Sequence, residues 1–217
     1  SVKLYFMIGL PTETYDDLDG ISNLAYDVID TYRQVHGGKL SRKFSVTVST
    51  STFVPKPFTP FQWAPMARPE IVDERIKAVR GAIKSRSIVY NYHEQETSFM
   101  EAVFARGDRR TCDVLIKAFE KGAKFDGWSE YFNMDIWKEA MAECNLDADF
   151  YVYRERGYDE VLPWDFIDIG VNRKYLEREN EKAKRAELTR NCLEGCTGCG
   201  INVNFKEGKC FEGAIRN

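Results

Sequence analysis

An apolar run, an amphipathic helix pattern and an alternating run follow one another at the start of this chain, and that order leaves few folds open. "VKLYFMIG" (2–9) is rich in β-formers and is ended by Gly9-Leu10-Pro11. A continuous apolar run of this length reads as a strand buried on both faces. In "TETYDDLDGISNLAYDVIDTYRQV", Thr14 with Asp17 three residues on forms a capping pair, and acidic residues fill the first turn, where the helix dipole favours them. Ile21, Leu24, Ala25, Val28, Ile29 and Tyr32 then recur at helical spacing. "GGKLSRK" breaks the helix, and "FSVTVSTSTFV" (44–54) alternates as a second strand. Strand, helix, strand is one βαβ unit, which predicts a parallel sheet in an α/β fold.

The second strand runs into "PKPFTPFQWAP" (55–65), where Pro55, Pro57, Pro60 and Pro65 remove donors and fix φ, so regular structure is excluded. Such a loop leaves the carboxyl end of a strand, the side on which α/β folds place their chemistry. Pro69 to about Arg86 predicts a second helix with Ile71, Ile76, Val79 and Ile83 as its main apolar positions, and "SIVYNYHE" (87–94) a third strand. From about 97 to 143 the pattern is helical and aromatic-rich. "DADFYVYRERGYDEVLPWDFIDIGV" reads as irregular, and 173–190 as a charged, exposed helix leading into the tail.

The charge balance narrows the partners. Lys+Arg 31 against Asp+Glu 34 gives a net charge of −3 in 217 residues, with a pI near 5.6, so no electrostatic case exists for wrapping nucleic acid. No apolar run reaches the 18 or so residues a membrane span needs. Ser1 opens straight into a core strand with no charged leader, which points to a fragment of a longer cytoplasmic protein. In that reducing compartment clustered cysteines bind metal more often than they form disulfides.

Four of the six cysteines lie in "NCLEGCTGCGINVNFKEGKC" (191–210): Cys192, Cys196 and Cys199 at C-x3-C-x2-C spacing, and Cys210 ten residues further on. Thiolates crowded together repel unless a cation neutralises them. Gly195, Gly198, Gly200 and Gly208 let the backbone turn tightly enough for the sulfurs to converge. Four thiolates suit an iron–sulfur cluster or tetrahedral zinc. With a single C-x2-C pair the iron–sulfur cluster is preferred, and zinc stays open as the alternative. Cys112 and Cys144 stand alone in helical segments and read as small core residues.

Taken together, "FMIGLPTET", "FVPKPFTPFQW", "EAVFARGDRR", "PWDFIDIGV" and the tail resemble the carboxyl-terminal portion of the cobalamin-binding-domain radical S-adenosylmethionine proteins. The resemblance runs over nearly the whole chain. It implies the C-terminal part of a partial (βα)6 TIM-like barrel, with 2–9 as its fifth strand and 44–54 as its sixth. Residues 1–95 would then be the distal part of the barrel, 96–172 a helical extension, and 173–217 a charged helix with a Cys-rich metal-binding tail.

In that family a three-cysteine motif after the first strand holds a 4Fe-4S cluster that cleaves S-adenosylmethionine. Neither that strand nor the cobalamin-binding domain is in this sequence, so the fragment is expected to be inactive alone. The missing barrel half and cobalamin domain are its implied partners, beside an unknown substrate. The tail motif has the radical-cluster spacing but follows a helix, so it reads as an auxiliary site. The position of Phe166, often a histidine in the family as we read it, departs from the pattern. The competing reading is a non-catalytic module whose zinc-bound cysteine knuckle docks a protein or RNA partner.

Four further groups follow. The resemblance places Gly9, Leu10 and Pro11 beside the adenosyl group of S-adenosylmethionine, though a strand-to-helix turn needs the same residues; Glu13 reads as a helix-dipole partner. Lys56 and Gln62 on the stiff proline loop are candidate substrate-facing groups, and Phe58, Phe61 and Trp63 on the same loop equally suit a cap on the barrel. Arg106, Arg109 and Arg110 form a candidate anion site or else ion-paired helix ends, with Asp108 as a helix N-cap. His36 and His93 are each isolated and are assigned to no metal. Trp128, Trp137 and Trp164 are expected in the core of the extension.

Overall fold

A computed structural model describes residues 1–204. β1 (Val2–Ile8), β2 (Val46–Thr52) and β3 (Ile88–Tyr92) form a parallel sheet in the order β1-β2-β3. Val2 pairs with Val46, and Val46 with Ile88. The crossovers are α1 (Tyr15–Val35) and α2 (Pro69–Ala82), which makes β1 to β3 a βαβαβ unit, the parallel α/β arrangement anticipated above.

The capping pair at the start of α1 is present as a full capping box: Thr14 accepts from the Asp17 N–H, and Asp17 accepts from the Thr14 N–H. α1 turns Leu18, Ile21, Ala25 and Ile29 inward, and α2 does the same with Val72, Ile76 and Val79. Both helices pack on one face of the sheet, against Ile8, Val46, Val48 and Ile88. Two expected core positions, Leu24 and Ile71, fall just off these stripes and are exposed.

β1 is not buried on both faces. Because both crossover helices lie on one side, only alternate residues of β1 are covered, and Tyr5 is 74% and Met7 51% exposed. Their register partners Ser49 and Ser51 and the exposed Val89 and Asn91 of β3 continue that bare surface across the sheet.

Beyond the sheet come α3 (Gln95–Arg106), α4 (Thr111–Glu120), α5 (Met134–Glu143), α6 (Ala148–Val152), α7 (Arg173–Lys184) and α8 (Ile201–Asn204). α3 to α6 build a second core around Val103, Val114, Trp137, Ala140 and Val152, which also takes in Val54 and Met66 at the two ends of the proline loop. Trp63, Leu162, Trp164 and Leu176 form a third core beneath α7. The proline loop therefore contributes to both outer cores and ties the sheet to everything that follows. Trp137 and Trp164 are buried as expected. Trp128 is 59% exposed, because it sits in the turn between α4 and α5 and not on a helix face. No helix among the described residues is long and apolar enough to cross a membrane.

Candidate functional site

The carboxyl ends of β1 and β2 open into a cleft of about 530 Å³. Pro11 and Thr12, from the turn after β1, form one wall. Phe61, Trp63, Ala64 and Pro65 of the proline loop form the second, Glu155 to Tyr158 the third, and Asn180 and Lys184 of α7 the last. Thr12 has φ +65°, a left-handed conformation that a β-branched residue seldom adopts.

Trp63 is held edge-on by Tyr158, with ring centroids 4.9 Å apart. The single Tyr158 hydroxyl proton is shared between Asn180 Oδ1 and Glu181 Oε1, both within hydrogen-bond reach, and Lys184 Nζ lies 3.0 Å from the same carboxylate. Burial and the Glu181 contact both raise the Tyr158 pKa, so the phenol stays protonated in the neutral range.

Two guanidinium groups lie together here, Arg156 from the third wall and Arg106 outside the lining. Arg106 is fully buried. Its Nε donates to Tyr151 O at 2.8 Å, Nη1 to Gln62 O at 3.4 Å and Nη2 to Arg154 O at 3.4 Å. Arg156, 4% exposed, donates from Nη2 to Arg106 O at 2.8 Å and lies 5.0 Å from the Trp164 ring centroid. Neither makes an ion pair among the described residues. The nearby acids are committed elsewhere: Glu160 to Arg154 at 2.6 Å, and Asp108 to Arg110 at 2.7 Å. Desolvation, then the charges of Arg156 and Arg154, pull the Arg106 pKa down to about 9, and desolvation followed by Arg154 lowers that of Arg156. Arg106 keeps its charge at neutral pH, and neither guanidinium has a carboxylate within ion-pair distance among the described residues, although Glu160 and Asp108 act on Arg156 from further away.

The expected site residues are only partly gathered here. Pro11 borders the cleft; Gly9 and Leu10 do not. Gly9 has φ +86°, a Cβ there would meet the Ala67 Cβ at 3.2 Å, and its N–H donates to Glu13 Oε2 at 3.0 Å. Packing and turn geometry explain that glycine. Glu13 is not a free helix-dipole partner, since its carboxylate is buried against Arg75 at 2.7 Å. Lys56 faces α3, where it pairs with Glu101 away from the cleft. Gln62 is 3% exposed, and its Oε1 accepts from Phe58 N–H at 3.1 Å and Trp164 Nε1–H at 2.6 Å, so its amide ties loop to extension and does not line the cleft.

The arginine cluster is likewise dispersed. Arg106 points into the core, while Arg109 and Arg110 are exposed. Asp108 is not the N-cap of α4, because the helix begins only at Thr111. Its carboxylate instead accepts from the Arg110 side chain and backbone and from the Tyr151 hydroxyl at 2.9 Å. These contacts, the Arg110 hydrogen bond foremost, hold its pKa well below the usual carboxylate range. A depressed folded-state pKa adds stability that is present above about pH 4 and is lost as pH falls towards the folded value. Asp108→Asn is expected to cost about 1 kcal/mol at pH 7, a difference that shrinks in urea melts below about pH 4. A difference that stayed constant to pH 2 would contradict this assignment.

Cys192 and Cys196 are exposed and Cys199 is half-buried, all as free thiols. The loop that carries them is pinned to α7 at its N-cap, where Asn172 N–H donates to Cys199 O at 2.8 Å, and by Arg178, which donates to Thr197 O at 2.7 Å; within the loop Arg190 donates to Cys196 O at 3.0 Å. Cys196 Sγ also accepts from the Gly198 N–H at 3.4 Å. Among the described residues no three His, Cys, Asp or Glu side chains gather into a metal-binding group. Cys210 lies outside the described residues. The three described thiols therefore do not by themselves form a donor set for an iron–sulfur cluster or for zinc. Cys112 is exposed and not a core residue, whereas Cys144 packs against the α3–α6 core.

Sequence reasoning missed Arg156, Tyr158, Asn180 and Lys184. Asn180 and Lys184, four apart, mark one face of α7, but nothing local shows what that face covers.

No protein-family model matches the chain, and no solved structure matches it. The uncharacterized protein MJ0966 of Methanocaldococcus jannaschii is similar to it, at 28% identity over 150 residues. The matched stretch is 64% of this chain and 31% of that relative's length.

Proposed function

We propose that this chain is the distal part of a radical S-adenosylmethionine enzyme, two strands of whose barrel are β1 and β2, acting on a substrate held at their carboxyl ends. The observation that carries the reading is the bare face of a parallel sheet. Parallel sheets are normally covered on both sides, yet here helices cover one side, and Tyr5, Met7, Val89 and Asn91 are exposed on the other. A barrel explains this asymmetry, since its helices lie outside and the opposite face points into the lumen. The cleft at the strand ends supports the same reading, because barrels carry their chemistry on that side. The partial match to a longer relative suits a fragment.

In this reading S-adenosylmethionine and a 4Fe-4S cluster, held mainly by residues outside this chain, supply the radical chemistry, with cobalamin as a further cofactor. This chain's own part is to position and shield. Pro11 and Thr12 border the ligand at the mouth of β1, Phe61, Trp63 and Tyr158 give apolar walls, and α7 closes one side against water. An auxiliary iron–sulfur centre in the tail, or zinc in its place, requires Cys210 beside Cys192, Cys196 and Cys199.

Iron, sulfide and zinc analysis of the complete polypeptide that contains these residues, purified without oxygen, tests the reading. A brown protein carrying iron and acid-labile sulfide is expected, from thiolate-to-iron charge transfer. A colourless protein with zinc and no iron would favour a non-catalytic zinc module instead.

A further inference from the structure

α4 is apolar on two sides. Val114 and Ala118 are buried in the second core, yet Leu115, Ile116 and Phe119 are half exposed or more. Residues three and four apart share one helix face, so these three form a continuous outward stripe. The turn after α4 extends it with three further exposed rings, Phe125, Trp128 and Tyr131. The Phe125 ring centroid lies 6.2 Å from that of Trp128 and 6.0 Å from that of Tyr131, and Lys124 Nζ lies 5.8 Å from the Phe119 centroid, joining turn to stripe. Phe125 has φ +61°, a left-handed conformation that a bulky residue seldom adopts. At about 200 Å² for a large side chain, the six leave roughly 600 Å² of apolar surface open, the upper end of what a monomer ordinarily carries.

We propose that this surface is the interface of a homodimer, with α4 and the turn after it packing on the same surface of a second copy. Two such faces bury roughly 1,200 Å² in total, which reaches the lower bound of specific interfaces. A two-fold contact uses the same patch on both copies and brings like charges together, so a charged surface resists it and an apolar one does not. None of the six side chains is charged. The helix lysines beside them, Lys117 and Lys121, are held by Glu120 at 2.9 Å and Glu143 at 2.7 Å. Acidic residues outnumber basic ones from Thr111 to Glu143, which leaves no positive field to draw a nucleic acid or an anionic membrane. Aromatic residues are also those in which interface cores are enriched. The bare face of the sheet belongs to β1, β2 and β3 and includes no part of α4, so this proposal and the barrel reading can fail separately.

The test is sedimentation velocity on the complete polypeptide that contains these residues, at concentrations through the micromolar range. A dimer is expected. Phe119→Glu and Trp128→Glu each bring a charge and its copy into the contact and are expected to raise the dissociation constant at least about 10-fold. Leu188→Glu, at an exposed leucine outside this surface, is expected to leave it unchanged. Both altered aromatic side chains are already more than half exposed, so the fold is retained, which a urea melt checks; Ile116→Lys takes the place of either variant that does not fold. A monomer at every concentration, an unchanged dissociation constant in the folded variants, or an equal loss in Leu188→Glu would each overturn the proposal.

Discussion

Replacing Arg106 with Met is expected to lower the free energy of unfolding by about 3 kcal/mol or more, read from urea denaturation at pH 7. Arg106 has no room to move and no water to turn to, and it donates to three carbonyls: those of Tyr151, Gln62 and Arg154. Methionine fills similar space and leaves all three acceptors facing an apolar chain, at about 1–3 kcal/mol for each buried group that loses its partner. Two effects oppose this: removing Arg106 relieves the desolvation of a buried charge and its repulsion with Arg156 and Arg154. Three buried carbonyls left without a donor are expected to outweigh both, because each keeps its desolvation cost in the variant. Arg106→Lys keeps the charge but cannot reach three carbonyls at once, so it is expected to fall between the two. A loss below about 1 kcal/mol in Arg106→Met would mean that these carbonyls find other donors, and that Arg106 does not knit α3 to the 151–154 segment.

Trp63→Ala is expected to cost about 3–5 kcal/mol, the usual range for a buried tryptophan truncated to alanine. The indole anchors the core it shares with Leu162, Trp164 and Leu176, is met edge-on by Tyr158, and lies under the Arg173 guanidinium at 5.8 Å. Its removal opens a cavity at the junction of proline loop, extension and α7, so amide exchange at Leu176 and Asn180 of α7 is expected to quicken before exchange in the sheet does. Uniform exchange acceleration throughout the chain, or a cost below about 1 kcal/mol, would show that this core does not hold α7 in place.

The strands and the first two helices could be read locally because their signals are local. Alternation in 46–52 and the Thr14–Asp17 capping box need no tertiary context. The covered side of β1 was masked by Tyr5 and Met7, which lengthen the apolar run, although Val2, Leu4, Phe6 and Ile8 fall on one face and Lys3, Tyr5 and Met7 on the other, and burial follows that alternation. On the proline loop, Lys56 and Gln62 are the polar side chains that sequence alone singles out, whereas the structure pairs Lys56 with Glu101, ties Gln62 to Trp164 and sets Trp63 among the residues that line the cleft. Arg156 lies within "RERGYDE", a run of charges that looks solvated from sequence alone. It is buried because Trp63 O accepts its backbone N–H and Arg106 O its side chain, contacts spanning 93 and 50 residues. The tail shows the converse limit. A four-cysteine pattern states a capacity, but convergence is a property of three dimensions, and the three described thiols do not converge.

The reading of the chain as a barrel segment meets its most direct test in the complete polypeptide, loaded with iron and sulfide under anaerobic conditions and given S-adenosylmethionine and dithionite. The quantity to measure is 5′-deoxyadenosine, by mass spectrometry. The account predicts its formation at one or more equivalents, dependent on both dithionite and iron. A protein with its full complement of iron and sulfide that yields none above the protein-free control would contradict it.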